Sequence, residues 1–452
     1  MESKMRNIVA LFLLGFILAI TGCETSETSS TTVPTMLRLK WMIATEPIYW
    51  SSPAIDDDGT VYVGSGLHHT DVRGGVFYAV KPDGTIKWEY QLGSQEAVRG
   101  SPSIGSDGTL YLITVTKSGA EIDSHLYAFN PDGTLKWKYE NMGQMVDPNF
   151  RVWTPAISSN NVIYVPAAGG LYAINADGTL RWKYSGTLPS SAHFSSPAIA
   201  ADGTIYANVE YYVEIQGVMR ATGGIYAINP DGTLKWAYLA DGYAQAFPSE
   251  DSDGTVYIAR GSELADSTYL YALNPDGTLK WRFYTGGLIV MTSPIIDTDG
   301  TIYIGTSSKG FAEAEDQAGI FFAINPDGTE KWRYDTTPDF QDRPGDWQSD
   351  IYSTAAIGAD GVIYFWSESR YIYVFYRDGT LKEKFRYGET STFCSPTITP
   401  DGTIYVGEYY YNYDSASGIH EGAFYAFQFE SPGLASTPWP KIHNNTKNTG
   451  RR

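Results

Sequence analysis

Cysteine is nearly absent from this sequence of 452 residues: only Cys23 and Cys394 occur. That excludes a disulfide framework and a cysteine-based zinc site. Histidine is scarce too, six in all. His68, His69, His193 and His420 fall in loops without ligand spacing, so no metal is expected. Positive charge is in deficit. The 32 Lys and Arg face 51 Asp and Glu, for a formal net charge of −19. With no basic stripe to meet phosphates, nucleic acid is excluded as a partner. What the chain does have is rings and turns: 14% aromatic residues and 46 glycines, the balance of an all-β protein.

The first 23 residues read as a targeting segment rather than as fold. Lys4 and Arg6 precede an apolar core, Ile8 to Ile20, that is short for a membrane span. Ile20-Thr21-Gly22-Cys23 resembles the lipobox of bacterial lipoprotein signal peptides. That resemblance implies lipidation at Cys23 and a place in the bacterial cell envelope, at the outer membrane or cell surface. Residues 24–35 are Ser/Thr-rich without apolar period, a tether that spans at most ~40 Å.

Internal repetition decides the architecture. One unit runs Ser52-Pro53-Ala54-Ile55, a turn, Thr60-Val61-Tyr62-Val63-Gly64, a variable loop, Val76-Phe77-Tyr78-Ala79-Val80, a turn, and Thr85-Ile86-Lys87-Trp88. Its third segment recurs as Leu126-Tyr127-Ala128, Leu171-Tyr172-Ala173, Ile225-Tyr226-Ala227, Leu270-Tyr271-Ala272, Phe321-Phe322-Ala323, Ile372-Tyr373-Val374 and Phe424-Tyr425-Ala426. Four β-prone runs per unit, eight times over, predict an eight-bladed β-propeller of four-stranded blades across residues 36–429, with a tail over 430–452.

The turns have a mechanism. In Asn130-Pro131-Asp132-Gly133 and its copies, Pro presets φ and Gly supplies the positive φ that follows. Asp57-Asp58-Gly59 and its relatives lack the further ligands and distal Glu of a calcium loop, so they read as turns. Trp41, Trp88, Trp137, Trp182, Trp236, Trp281 and Trp332 share one position in the fourth strand and are assigned to packing between blades. The seventh unit has Leu381-Lys382-Glu383 there, which marks it as the expected weakest wall. Cys394 stands where other units carry Ser or Thr and is read as a small buried residue.

Closure follows from counting. The eighth unit lacks a fourth strand after Phe424 to Phe427, and a matching strand lies at Leu37 to Trp41. The N-terminal strand is therefore expected to complete the last blade and hide its edge. The repeated pattern Gly-x-x-Tyr-Ala-x-Asn-x-Asp-Gly-Thr-x-x-Trp resembles the PQQ-like propellers, which include quinoprotein alcohol dehydrogenases and the propeller lipoprotein of the outer-membrane β-barrel assembly machine. The run from Trp439 to Gly450 resembles a short tail of related envelope propellers. The quinoprotein resemblance implies an adjacent cysteine pair at the quinone, which this chain lacks. No cofactor and no catalytic residue is carried over, since fold alone does not convey activity.

Function is expected on the face opposite the tight turns, where the long loops gather. Candidate binding residues there are Tyr211, Tyr212, Glu214, Asp316, Asp346, Trp347, Asp350, Tyr409, Tyr410, Tyr411 and Tyr413. Aromatic anchors beside carboxylates suit a basic protein segment or a glycan. The leading reading is a non-enzymatic, monomeric, lipid-anchored ring that binds an envelope protein or polysaccharide. Two alternatives stay open: a quinoprotein-like or lyase-like enzyme with its site in the central channel, and a scaffold for outer-membrane protein assembly.

Overall fold

The computed structural model describes residues 38–452 apart from 69–70, 73, 119–120, 141, 144–152, 168, 191, 216, 244–245, 262–267, 288, 290–291, 308–318, 341–349, 369, 387–392, 412–419, 430–432 and 438–439. Eight antiparallel four-stranded units form the blades of a propeller. Blade 1 shows the plan: inner strand Ala54–Ile55, second Val61–Gly64, third Val76–Val80 and outer Ile86–Gln91. The inner strands of blades 2 to 8 are Ser103–Ile104, Ala156–Ile157, Ala198–Ile199, Ser249–Glu250, Ile295–Ile296, Ala356–Ile357 and Thr397–Ile398. Second and third strands are buried on both faces, which is why apolar residues fill both parities.

The tight hairpins are built as their sequences require. In blade 1 the amide of Lys81 donates to Thr85 O and that of Gly84 to Lys81 O, with Gly84 at φ +87°. The ladder slips by one residue at Ala79/Val80, the bulge that accompanies such a turn. Gly84 has a second constraint, since a Cβ there would lie 2.7 Å from the Trp41 ring. Where blade 3 has Asn161 instead of Gly, the residue adopts φ +56°.

The N-terminal strand, Arg38–Thr45, pairs antiparallel with His420–Gln428 and completes blade 8. Its register puts Trp41 opposite Ala426, as Trp88 stands opposite Ala79. Lys40 reaches Asp401 at 3.0 Å, repeating the Lys87–Asp58, Lys235–Asp202 and Lys280–Asp253 pairs within other blades.

Two girdles tie neighbouring blades together. On the outside, each indole Nε1 donates to a carbonyl in the next blade's hairpin: Trp41 to Pro82, Trp88 to Pro131, Trp137 to Ala176, Trp182 to Pro230, Trp236 to Pro275, Trp281 to Pro326 and Trp332 to Arg377, all at 2.9–3.0 Å. On the inside, hydroxyls around the channel accept from the backbone of the preceding blade. Ser52 N donates to Ser101 Oγ, Ser101 N to Thr154 Oγ1 and Thr154 N to Ser196 Oγ. Phe247 N resumes the series to Ser293 Oγ, followed by Ser293 N to Thr354 Oγ1, Thr354 N to Ser395 Oγ and Ser395 N back to Ser52 Oγ. Blade 5 breaks the hydroxyl series with Phe247.

Glu383 of blade 7 occupies the place of the missing indole for a topological reason. The outer strand of blade 8 comes from the N-terminus, so blade 8 has no hairpin between its third and outer strands for an indole to cap. Phe429 fills the space, 5.7 Å from Phe385 and 5.1 Å from Tyr364. Cys394 is buried against Ile48, its thiol 3.8 Å from that carbonyl.

Candidate functional site

The tight turns lie at one end of the ring and the long connections at the other. On the loop face the sequence candidates separate into two groups. Tyr211, Tyr212 and Glu214 stand on the hairpin of blade 4, Ile205–Ile215 and Val218–Ile228, whose far end continues past the outer strand Leu234–Leu239. Tyr211 packs on the core between blades 3 and 4, and Tyr212 meets Tyr243 edge-on at 6.5 Å. Glu214 is exposed. The same hairpin exposes Ile215, Val218 and Met219, the last at 60%, with Leu239 exposed on the outer strand. In sequence these aliphatic side chains look like the core positions of any strand, so nothing in the spacing marks them as exposed.

Asp350 and Tyr409 belong to the second group, where blades 7, 8 and 1 adjoin. The links between blades contribute Tyr49 and Trp50 before blade 1, Asp350 and Tyr352 before blade 7, and Phe393 before blade 8. Tyr49 contacts Trp50 at 4.2 Å, Phe393 at 4.8 Å and Tyr409 at 4.3 Å between ring centroids. Phe393 also meets Tyr352 at 5.0 Å, whose hydroxyl donates to Asp350 Oδ2 at 2.9 Å. Glu368 joins through its amide, which donates to Asp350 O at 2.8 Å. Burial, reinforced by the Asp350 charge, pushes the Glu368 carboxyl up to about 8. Burial and the same two carboxylates raise the Tyr352 phenol. Tyr410 and Tyr411 continue the strand Thr403–Tyr411 of blade 8. Cys23, Asp316, Asp346, Trp347 and Tyr413 lie outside the described residues.

At the tight-turn end the C-terminal tail occupies the channel axis. The amides of Ile55, Ile104, Ile157, Ile199 and Ile357 donate to the carbonyls of Thr446, Lys447, Thr449, Gly450 and Pro440 at 2.7–2.9 Å. Asn448, fully buried, directs Nδ2 at the carbonyls of Ser52, Pro53 and Pro102 and accepts from Lys441 Nζ. Burial alone drives the Lys441 amine down to about 7. Nothing in the sequence spacing places this segment in the channel, because its partners are backbone groups distributed over five blades. Among the described residues no group of three or more His, Cys, Asp or Glu could hold a metal ion.

The sequence matches the profile of the outer membrane protein assembly factor BamB over residues 38–216 and again over 214–419, nearly the whole ring. The chain belongs to this BamB family. BamB from Moraxella catarrhalis is 16% identical, with a TM-score of 0.53, covering 87% of this chain and all of that one. The Dos1 propeller, 10% identical, reaches a TM-score of 0.58 over 88% and 97% of the two chains. The Vibrio cholerae biofilm matrix protein Bap1, 12% identical, reaches 0.51 over 91% and 96%. At these identities the structural likenesses establish the fold alone. No curated protein sequence matches the chain. Membership in the BamB family gives the fold and its repeats; a binding surface must be argued from this chain's own loops.

Proposed function

We infer that this BamB-family propeller is a non-enzymatic scaffold of the bacterial envelope that binds a protein partner on its loop face. The observation that carries the reading is the contrast between the two ends of the ring. The tight-turn end is closed by the chain's own tail. The loop end presents an apolar hairpin tip on blade 4 and a carboxylate-edged aromatic cluster at blades 7, 8 and 1. Exposed apolar side chains and ring edges are what protein interfaces use as anchors. The tail also leaves less room for the alternative of an enzyme site in the channel.

Lipidation at Cys23 would hold the ring in the envelope. Arg38 pairs with Gln428 at the tight-turn end, so the chain enters from that side and the tether of residues 24–35 would turn the loop face away from the bilayer. The family's printed role, assembly of outer membrane proteins, gives the class of partner this surface would serve.

A crosslinking pull-down from native envelopes tests the reading, with the mature lipoprotein beside a form whose 211–222 hairpin tip is shortened. Capture of a protein by the intact form only supports the loop face. Equal capture by both forms, or capture of a polysaccharide alone, overturns a protein-binding hairpin.

A further inference from the structure

The tail in the channel carries one cation without a counter-charge. Lys447 faces Asp57 at 2.8 Å and Asp56 at 3.5 Å, and Arg452 faces Glu250 at 3.2 Å. Lys441 is different. Its side chain is fully buried, and its Nζ donates only to neutral acceptors, Asn448 Oδ1 at 2.5 Å and Asn445 O at 3.3 Å. No carboxylate acts on it among the described residues. An ammonium has three N–H groups, so two acceptors leave one donor over.

A second orphan stands nearby. His443 is 4% exposed, and its Nε2 has no hydrogen-bond partner among the described residues. Burial, and then the Lys441 charge, keep its imidazole neutral, so the two groups are neighbours. In the tautomer that carries hydrogen on Nε2, the ring offers a donor with nothing to receive it. Both groups stand at the level of the inner girdle. His443 lies on Phe247, and Asn448, which Lys441 touches, reaches the carbonyls of Ser52 and Pro102.

An unpaired buried ammonium and an unmet buried donor both oppose folding. An anion between them removes both costs at once. Charge fixes its class. One buried cation is matched by one negative charge, whereas a sulfate or phosphate dianion would keep a second charge out of water without a partner.

We propose that Lys441 Nζ and His443 Nε2 form a site for a monovalent inorganic anion of the chloride class, seated in the channel against the C-terminal tail. The site belongs to the ring itself and does not depend on what docks on the loop face. The titratable groups that face one another there are Lys441 and His443, and no other charge among the described residues acts on either. Burial holds the free amine at about 7, so at higher pH an entering anion brings a proton to the amine. Binding should therefore tighten by up to about ten-fold from pH 9 to pH 8 and level off below pH 7.

Two measurements on the full mature chain test this. In thermal melting from chloride-free buffer, sodium chloride should raise the melting temperature of the wild type saturably, and at lower concentration at pH 7 than at pH 9. Lys441→Met should lose the saturable rise. His443→Phe, which keeps a ring on Phe247, should raise the half-saturating concentration about ten-fold. In crystals grown with sodium bromide, an anomalous peak should lie between Lys441 Nζ and His443 Nε2. Equal chloride dependence in the wild type and a folded Lys441→Met protein overturns the site. So does the lack of a bromide peak at that position, a result that decides the matter even if Lys441→Met fails to fold. Sulfate at equal ionic strength reproducing the part of the rise that Lys441→Met removes overturns the monovalent assignment.

Discussion

The imidazole of His443 lies flat against the ring of Phe247, centroids 5.0 Å apart, at the one blade that contributes no hydroxyl to the inner girdle. The tail thus meets blade 5 through rings and through Arg452, which faces Glu250 at 3.2 Å, while it meets blades 1, 2, 3, 4 and 7 through backbone hydrogen bonds. A chain ending at residue 439 loses all of these. Net values of ~0.5–1.5 kcal/mol per hydrogen bond over five inner-strand amides give about 3–7 kcal/mol. The truncated ring should melt roughly 5–10 °C lower by calorimetry. An unchanged melting temperature would mean that the tail is not seated in solution.

Trp41 closes the ring from the other terminus. Its Nε1 donates to Pro82 O at 2.9 Å and its ring covers Gly84, joining blade 8 to blade 1. The indole is half-buried, so Trp41→Ala should destabilise by about 2–4 kcal/mol, somewhat less than truncating a fully buried ring. Glu383→Ala, at the matching site of blade 7, faces no hairpin and should stay within about 1 kcal/mol of wild type. Equal losses in paired denaturant titrations would show that the indoles are not what joins the blades.

These two contacts mark what was legible in the sequence and what was not. Repeats such as Phe77-Tyr78-Ala79 with Trp88 revealed blade number and closure, because each unit must bury the same face against the next. The reason Glu383 stands in place of an indole is the borrowed outer strand, which only the pairing of Arg38–Thr45 with His420–Gln428 displays. The inner girdle of Ser52, Ser101, Thr154 and Ser196 was hidden because a small hydroxyl before Pro reads as a turn residue. Of the candidate site, Asp350 and Tyr409 were found as loop residues. Glu368, Tyr49 and Phe393 were missed because their partnership is between blades, without any fixed sequence spacing.

The blade 4 hairpin carries a separate prediction. Ile215, Val218 and Met219 are exposed at 47%, 56% and 60%, so removing their apolar surface takes nothing from the core. The triple change Ile215→Ser, Val218→Ser, Met219→Ser should leave the melting temperature within about 1–2 °C and abolish capture of the loop-face partner. Preserved capture would move the contact away from the hairpin tip.

Lys441 should make stability depend on pH in the alkaline direction. Its amine is fully buried, with Asn448 Oδ1 at 2.5 Å and Asn445 O at 3.3 Å as acceptors, and no carboxylate beside it among the described residues. Burial holds its folded pKa down to about 7, against ~10.4 in an unfolded chain. Between those values the unfolded state binds one more proton than the folded one, so stability rises with pH at up to about 1.4 kcal/mol per unit. Below about 7 both states are protonated and the penalty is constant. Above ~10 the trend reverses, because buried phenols such as Tyr111 and Tyr127 are pushed up to about 12 while unfolded tyrosines ionise near 10. Denaturant titrations at pH 7.5 and 9.0 should therefore show the wild type gaining stability, and Lys441→Met, which keeps the volume without the charge, losing that gain. A wild type and a Lys441→Met protein whose stabilities change alike across the same interval would mean that the amine keeps its proton in the channel.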